Sequence, residues 1–163
     1  MAPPRDLLLF RHGIAEERGG PTPEPLRALT PEGRCRTRAV AQRLAALDLK
    51  ADRLISSPLV RARQTADIAV AVGLAPALEL HQALAPDGDA LALVHSAEVG
   101  RLMLVGHEPH LGALACRLLG APAGAITLKK AGLALISFQP IPSLRLLLAP
   151  KVLLVAASAT ARD

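Results

Sequence analysis

A chain of 163 residues with 51% hydrophobic and 20% charged residues has a globular composition, long enough for one domain and too apolar for disorder. Phe10 and Phe138 are its only aromatic residues, so the core must come from Leu, Val, Ile and Ala, and the aromatic surface on which nucleic-acid binders stack bases is missing. The net charge of +5 is carried by arginines spread over apparent helices, which reads as a solvated basic surface compatible with acidic or phosphorylated partners rather than nucleic acid.

Met1 to Asp6 carries Pro3, Pro4 and Arg5 ahead of a short apolar run, too brief for a signal peptide. No segment approaches bilayer length, and the expected location is the cytoplasm, away from any membrane. Asp6 to Phe10 is an unbroken apolar run that suits a strand buried on both faces of a parallel sheet; it ends in Arg11-His12-Gly13. Glu16 to Leu29 reads as loop. Thr30-Pro31-Glu32 has the form of a helix start, and Val40, Leu44 and Leu47 follow at helical spacing. Arg53 to Ser56 is a second short strand, and Ser57-Pro58 turns into a helix running to Val72, closed by Gly73.

Leu78-Glu79-Leu80 reads as an edge strand, and Asp87 as the cap of a helix reaching about Glu98. Leu102 to Val105 is a further buried strand, ending in Gly106-His107; Pro109 to Leu119 is helical in pattern and stops at Gly120. Leu133 to Phe138 and Leu144 to Leu148 form a hairpin-like pair joined through Pro140 and Pro142. The leucine-rich run near the end is broken by Arg145, Pro150 and Lys151. One domain is expected over residues 1–155, with 156–163 as a frayed tail. Cys35 and Cys116 sit far apart in apparent helices and read as free thiols of a reducing compartment. Strands alternating with helices predict an α/β sandwich with a largely parallel central sheet. Neither GxGxxG nor a P-loop is present, and the chain calls for no cofactor.

Two apolar strands end in a histidine beside a glycine, Arg11-His12-Gly13 and Gly106-His107. In open α/β sheets, ligands sit at the carboxyl ends of strands. Arg61 opens a helix just beyond a third strand, so it can reach the same rim. Each feature alone is ordinary; the three together point to phosphoryl transfer. An arginine fork holds two phosphate oxygens at once, and the reaction demands chiefly positioning and electrostatic stabilisation. Cationic neighbours disfavour protonation of His12 and keep a nitrogen free to attack. His81 and His95 read as surface residues. His107-Glu108-Pro109-His110 is not the HExxH zinc pattern, because Leu111 stands where the second histidine belongs, and no metal site is expected.

Arg11-His12-Gly13, then Ser57-Pro58-Leu59 with Arg61-Ala62 and Gln64-Thr65-Ala66, then Gly106-His107, resemble in order and spacing the three blocks of the histidine-phosphatase (phosphoglycerate-mutase-like) superfamily. The short chain and the segment Leu84-Ala85-Pro86-Asp87-Gly88-Asp89 look closest to SixA-like phosphohistidine phosphatases. The resemblance implies a three-layer α/β/α sandwich. It makes His12 the nucleophile that carries the phosphoryl group, and Arg11, Arg61, His107 and Gly13 the phosphate pocket, with no metal. Many relatives acting on phosphate esters place a general-acid glutamate where this chain has Ala83; Glu79, Asp87 and Asp89 are the nearby substitutes. Arg18 stands near a phosphate-contacting position of the mutase branch. The implied activity is dephosphorylation of phosphohistidine on a protein, such as a histidine-containing phosphotransfer domain. The alternatives are a phosphomonoesterase for a small phosphorylated metabolite or nucleotide, and a non-catalytic phosphoprotein-binding module.

Overall fold

A computed structural model of the chain describes residues 2–160, with nothing to be said of the side chains of 156–160. Six strands, β1 (Asp6–Arg11), β2 (Arg53–Ser56), β3 (Leu78–Leu80), β4 (Arg101–Gly106), β5 (Leu133–Ser137) and β6 (Ser143–Leu148), form one sheet in the order β3-β2-β4-β1-β5-β6. The pairings β3-β2, β2-β4 and β4-β1 are parallel, while β5 runs antiparallel to both β1 and β6. The sheet is thus largely parallel, as the alternating pattern predicts. Because β4 lies between β2 and β1, the loops leaving all three strands emerge side by side.

Period-two alternation along β1 splits the core into two layers. Leu8 and Phe10 join Val40, Leu44, Leu54, Met103, Val105 and Leu153 on one face. Leu7 and Leu9 join Leu102, Leu104, Val94, Leu111, Leu114 and Ile136 on the other. Each leucine of β1 is fully buried, and such burial contributes about 1.5–3 kcal/mol per side chain. Helices α1 (Pro31–Ala46), α2 (Val60–Ala71) and α5 (Pro150–Thr160) cover the first face, and α3 (Leu91–His95) and α4 (His110–Leu119) the second. This is the α/β/α sandwich.

Thr30 caps α1 as expected: its Oγ1 accepts from Gly33 N–H at 2.9 Å, with Pro31 at the first helical position. Gly73 (φ 81°) and Gly120 (φ 65°) close α2 and α4 in the left-handed region. Elsewhere the structure corrects the sequence reading. The helix expected from Asp87 to about Glu98 is only α3, and Asp89 rather than Asp87 binds its start, accepting from Leu91 N–H at 3.0 Å. The expected loop from Glu16 to Leu29 contains a 3-10 turn at Glu24–Leu26 and a bridge between Ala15 and Leu29. Helix α5 occupies part of the segment expected to be a tail from residue 156; residues 161–163 lie outside the described residues.

Among the described residues, no helix is long and apolar enough to cross a membrane. Cys35 is exposed, Cys116 buried, and both are free.

Candidate active site

The carboxyl ends of β1, β2 and β4 meet at one cavity of about 770 Å³, lined among others by Arg11, His12, Arg61 and His107. Backbone bonds explain how the three loops converge. His12 N–H donates to Gly106 O at 3.0 Å, and Ser57 N–H to Val105 O at 2.9 Å, so each loop is tied to β4 as it leaves the sheet. Thr65, one turn into α2, joins two of the sequence blocks. Its hydroxyl accepts from Gly13 N–H at 3.1 Å and donates to Arg61 O at 2.8 Å. Gln64 Oε1 accepts from Leu29 N–H at 2.8 Å and holds the loop that precedes α1. Gly13 has to be glycine because a methyl there would collide with Thr37 Oγ1 on α1.

His12 is 6% exposed, His107 3% and Arg61 2%, so the chemistry sits almost out of water. His12 Nδ1 lies 2.7 Å from Gly13 O. A carbonyl can only accept, so Nδ1 carries the ring proton and Nε2 keeps a lone pair. Arg61 Nε–H points at that Nε2 from 3.3 Å. Burial, helped by the nearby charges of His107, Arg61 and Arg11 and opposed by the Gly13 bond, pushes the pKa of His12 down to about 3. His107 is likewise pushed to about 3, by burial first and Arg61 next. Both rings are neutral near pH 7. Their centroids stand 5.2 Å apart.

His107 Nε2 shares a 2.7 Å hydrogen bond with Ser57 Oγ, which fixes the ring's orientation. Its Nδ1 and the Nε of Arg11 are buried without a hydrogen-bond partner among the described residues. A buried donor such as Arg11 Nε is costly to leave unsatisfied, and an anion bound at it would relieve that cost. Burial lowers the pKa of Arg11 and of Arg61, yet a guanidinium stays charged in proteins.

One carboxylate enters this cluster that the sequence did not reveal. Glu24 Oε1 accepts from Arg61 Nη2 at 3.0 Å, and Glu24 O from Arg61 Nη1 at 3.0 Å. Arg27 grips the same carboxylate with 2.7 Å bonds to both oxygens and also donates to Glu16 O at 2.6 Å. The Arg27 bond, with the charges of Arg61 and Arg18, holds Glu24 down to about 2. Arg18 lines the cavity and approaches Glu24 to 3.8 Å. Local spacing could have flagged only the Glu24–Arg27 pair, three residues apart; the reach to Arg61 is tertiary.

The three substitute acids are not brought to His12. Glu79 is bound on β3 by Arg53 through bonds of 2.8 and 2.7 Å, and its pKa falls accordingly. Asp87 is exposed and does not line the cavity. Asp89 accepts from Leu91 N–H and from Arg117 Nη1, both at 3.0 Å, which lowers its pKa. It faces a small cavity of about 110 Å³ that also touches Ala83, His107 and His110. The carboxyl the sequence reading passed over is Glu108. It lines the large cavity, and burial raises its pKa against the pull of Gly112 N–H, 2.8 Å away, and of Arg11. Its position beside His107 was the available signal.

His81 is exposed and caps the turn Gln82–Leu84 through Nδ1, which accepts from Ala83 N–H at 3.1 Å; His95 is exposed on α3. Among the described residues, no three His, Cys, Asp or Glu side chains are grouped to hold a metal ion.

The model of the histidine phosphatase superfamily, branch 1, matches residues 7–85. A protein of Picosynechococcus sp., itself described as uncharacterised, is 42% identical over 135 residues, covering 78% of this chain and 82% of that protein. Among solved structures, the protein histidine phosphatase SixA complexed with tungstate superposes with a TM-score of 0.77 at 23% identity, over 91% of this chain and 99% of that one. A proposed phosphohistidine phosphatase SixA from Agrobacterium tumefaciens gives 0.78 at 24% identity, over 90% and 99%. These two likenesses establish a shared fold.

Proposed function

The chain belongs to the histidine phosphatase superfamily, and from that premise we propose that it dephosphorylates phosphohistidine borne on a protein, with His12 as the nucleophile. The observation that carries the reading is the state of His12: neutral, protonated on Nδ1 toward Gly13 O, with its Nε2 lone pair in a cavity ringed by Arg11, Arg61 and His107.

The Nε2 lone pair attacks phosphorus and a new P–N bond forms. The substrate's own P–N bond breaks, and its electron pair goes to the leaving imidazole nitrogen. That ring departs neutral when its other nitrogen carries a proton, so no acid is needed. Arg11, Arg61 and His107 stabilise the oxygens of the transferring group in a site shielded from water. Water then attacks the phosphoryl group on His12, the P–N bond electrons return to Nε2, and the water proton leaves with inorganic phosphate. The Nδ1 proton stays on its bond to Gly13 O throughout, so His12 also departs as a neutral imidazole. Two arginines and the histidines supply the electrostatics without a divalent ion, and turnover should survive exhaustive chelation. A loss of activity restored only by added metal would contradict this. Two free cysteines, one of them exposed, fit work in a reducing compartment such as the cytoplasm.

Substrate preference follows from the leaving group. An ester expels an alkoxide, for which a general acid typically contributes ~10²–10⁴-fold. Ala83 supplies none, and Glu79 and Asp89 are engaged by arginines. Phosphohistidine should therefore be cleaved with a kcat/KM far above that for alkyl phosphates, measured at matched enzyme and pH. A second reading, phosphomonoesterase action on a small metabolite, draws on Glu108, the cavity carboxyl that burial keeps readier to hold a proton. Alkyl esters proving the better substrates, with Glu108→Gln removing that activity selectively, would replace the first reading by the second.

A further inference from the structure

Next to the catalytic cavity lies another of about 550 Å³, and its lining holds five cations and no carboxylate. Arg11 comes from the end of β1, Arg36 from α1, Lys129 and Lys130 from the turn before β5, and Lys151 from the start of α5. Arg11 and Lys130 line both cavities, so the two are adjacent and share a wall. The three lysines are exposed and Arg36 is half-buried.

Some surface arginines elsewhere are compensated, while Arg34, Arg38 and Arg145 form no ion pair among the described residues. Arg53 pairs with Glu79, Arg117 with Asp89, and Arg5 with Asp6. None of Arg36, Lys129, Lys130 and Lys151 takes part in such a pair among the described residues. A concavity of one sign repels itself and focuses a field outward, an arrangement that suits an anionic partner. The lysine turn is also held rigidly to the catalytic strand. Ala131 N–H donates to His12 O at 3.0 Å, Arg11 N–H to Gly132 O at 3.1 Å, and Gly132 N–H to Lys129 O at 2.7 Å. Ala131 sits in the left-handed region at φ 58° to make those bonds.

We propose that this cationic groove docks the acidic face of the protein that carries the phosphohistidine, and so sets the phosphorylated ring over His12. The proposal rests on the phosphohistidine reading above and adds to it the partner's charge and the side from which it approaches. A single phosphate or carboxylate engages two or three donors at once. Five cations on four separate elements are matched only by an extended anionic surface. The exposed lysines draw that surface in, and Arg11 links it to the reacting group.

The test compares two substrates, a histidine-containing phosphotransfer domain of acidic pI phosphorylated on its histidine, and free phosphohistidine. The variant is Arg36→Glu/Lys129→Glu/Lys151→Glu, none of which lines the catalytic cavity. KM for the domain should rise roughly tenfold or more with kcat unchanged, while both constants for free phosphohistidine stay as in the wild type. The wild-type KM for the domain should climb as salt rises from about 0.05 to 0.3 M, and that dependence should flatten in the variant. Should the triple glutamate variant fold poorly, the corresponding triple glutamine variant should show the same shift, reduced to roughly threefold.

A domain KM unmoved by either variant, with the wild type cleaving both substrates, overturns the docking face and leaves the phosphohistidine reading standing. Equal weakening of both substrates makes the groove a small-anion subsite and overturns the proposal. A wild type that cleaves alkyl esters but no phosphohistidine overturns the functional reading, and the docking face falls with it.

Discussion

Arg61 reaches the cavity from the first turn of α2 with its guanidinium already bound to a carboxylate, whereas Arg11, at the end of β1, donates among the described residues to a backbone carbonyl, Leu128 O at 2.8 Å. Around Arg61 one carboxylate is already in place: Glu24 is shared with Arg27 and approached by Arg18. Around Arg11 no carboxylate is hydrogen-bonded among the described residues: its buried Nε has no partner there, Glu108 acts on it only through space, and a groove of cations lies alongside. One flank of the phosphate site is thus pre-organised by an acid that an incoming phosphoryl group must share, and the other awaits an anion. Pre-organisation matters because a guanidinium already in place costs no reorganisation when charge develops in the transition state. The open flank instead gives attraction at a distance.

The strongest way to break that comparison is to remove each arginine in turn. Arg61→Ala and Arg11→Ala should each lower kcat by ~10³-fold or more, the scale on which transition-state arginines act. They should differ in one respect. Arg61→Ala leaves the Glu24 carboxylate without its Arg61 partner, held only by Arg27, and so also weakens binding of inorganic phosphate more than Arg11→Ala does, measured as the product-inhibition constant. Equal effects on phosphate binding would erase the distinction between the flanks.

A smaller effect concerns pH and the two histidines common to both flanks. In the unfolded chain each titrates near 6.5, and in the fold near 3. Between those values the unfolded state binds protons that the folded state refuses, so stability is fully present above 6.5 and falls as pH drops toward 3. The loss should amount to a few kcal/mol per histidine, read from urea unfolding across that window. His107→Asn should flatten the decline by about half; an unchanged slope would mean that His107 is not held neutral by burial.

The smallest effect sharpens the comparison. Glu24→Gln keeps the shape of the side chain but removes the charge facing Arg61. Inorganic phosphate should then inhibit more tightly, by roughly three- to tenfold given the carboxylate's partial exposure. Weaker inhibition would mean that Glu24 acts only by holding Arg61 in position.

The frame, Arg11 and Arg61 were legible in the sequence, while Glu24 beside Arg61 and the cationic groove beside Arg11 were not. β1 announces itself as a continuous apolar run, and Arg11-His12-Gly13 stands at its end because β1 is central and buried on both faces. Arg61 and Thr65 fall one helical turn apart, which is why that block has its spacing. Glu24 was hidden because its partner Arg61 lies 37 positions away in sequence and the connecting loop has no periodicity. Helix α5 was missed for another reason: Pro150 was read as a breaker of the leucine-rich run, whereas it is the first residue of a helix, where proline needs no N–H partner. Asp89 rather than Asp87 meets the start of α3 because the chain turns once more at Gly88 before the helix, a local geometry that composition does not encode.

The central claim is that Nε2 of His12 takes the phosphoryl group, and rapid acid-free quenching of enzyme mixed with labelled phosphohistidine tests it most directly. The account predicts a burst of label on the protein, stable in alkali, lost in acid and mapped to His12, with His12→Ala folded yet unlabelled and inactive. A well-folded His12→Ala protein that still turns over substrate, or label residing on another residue, would contradict it.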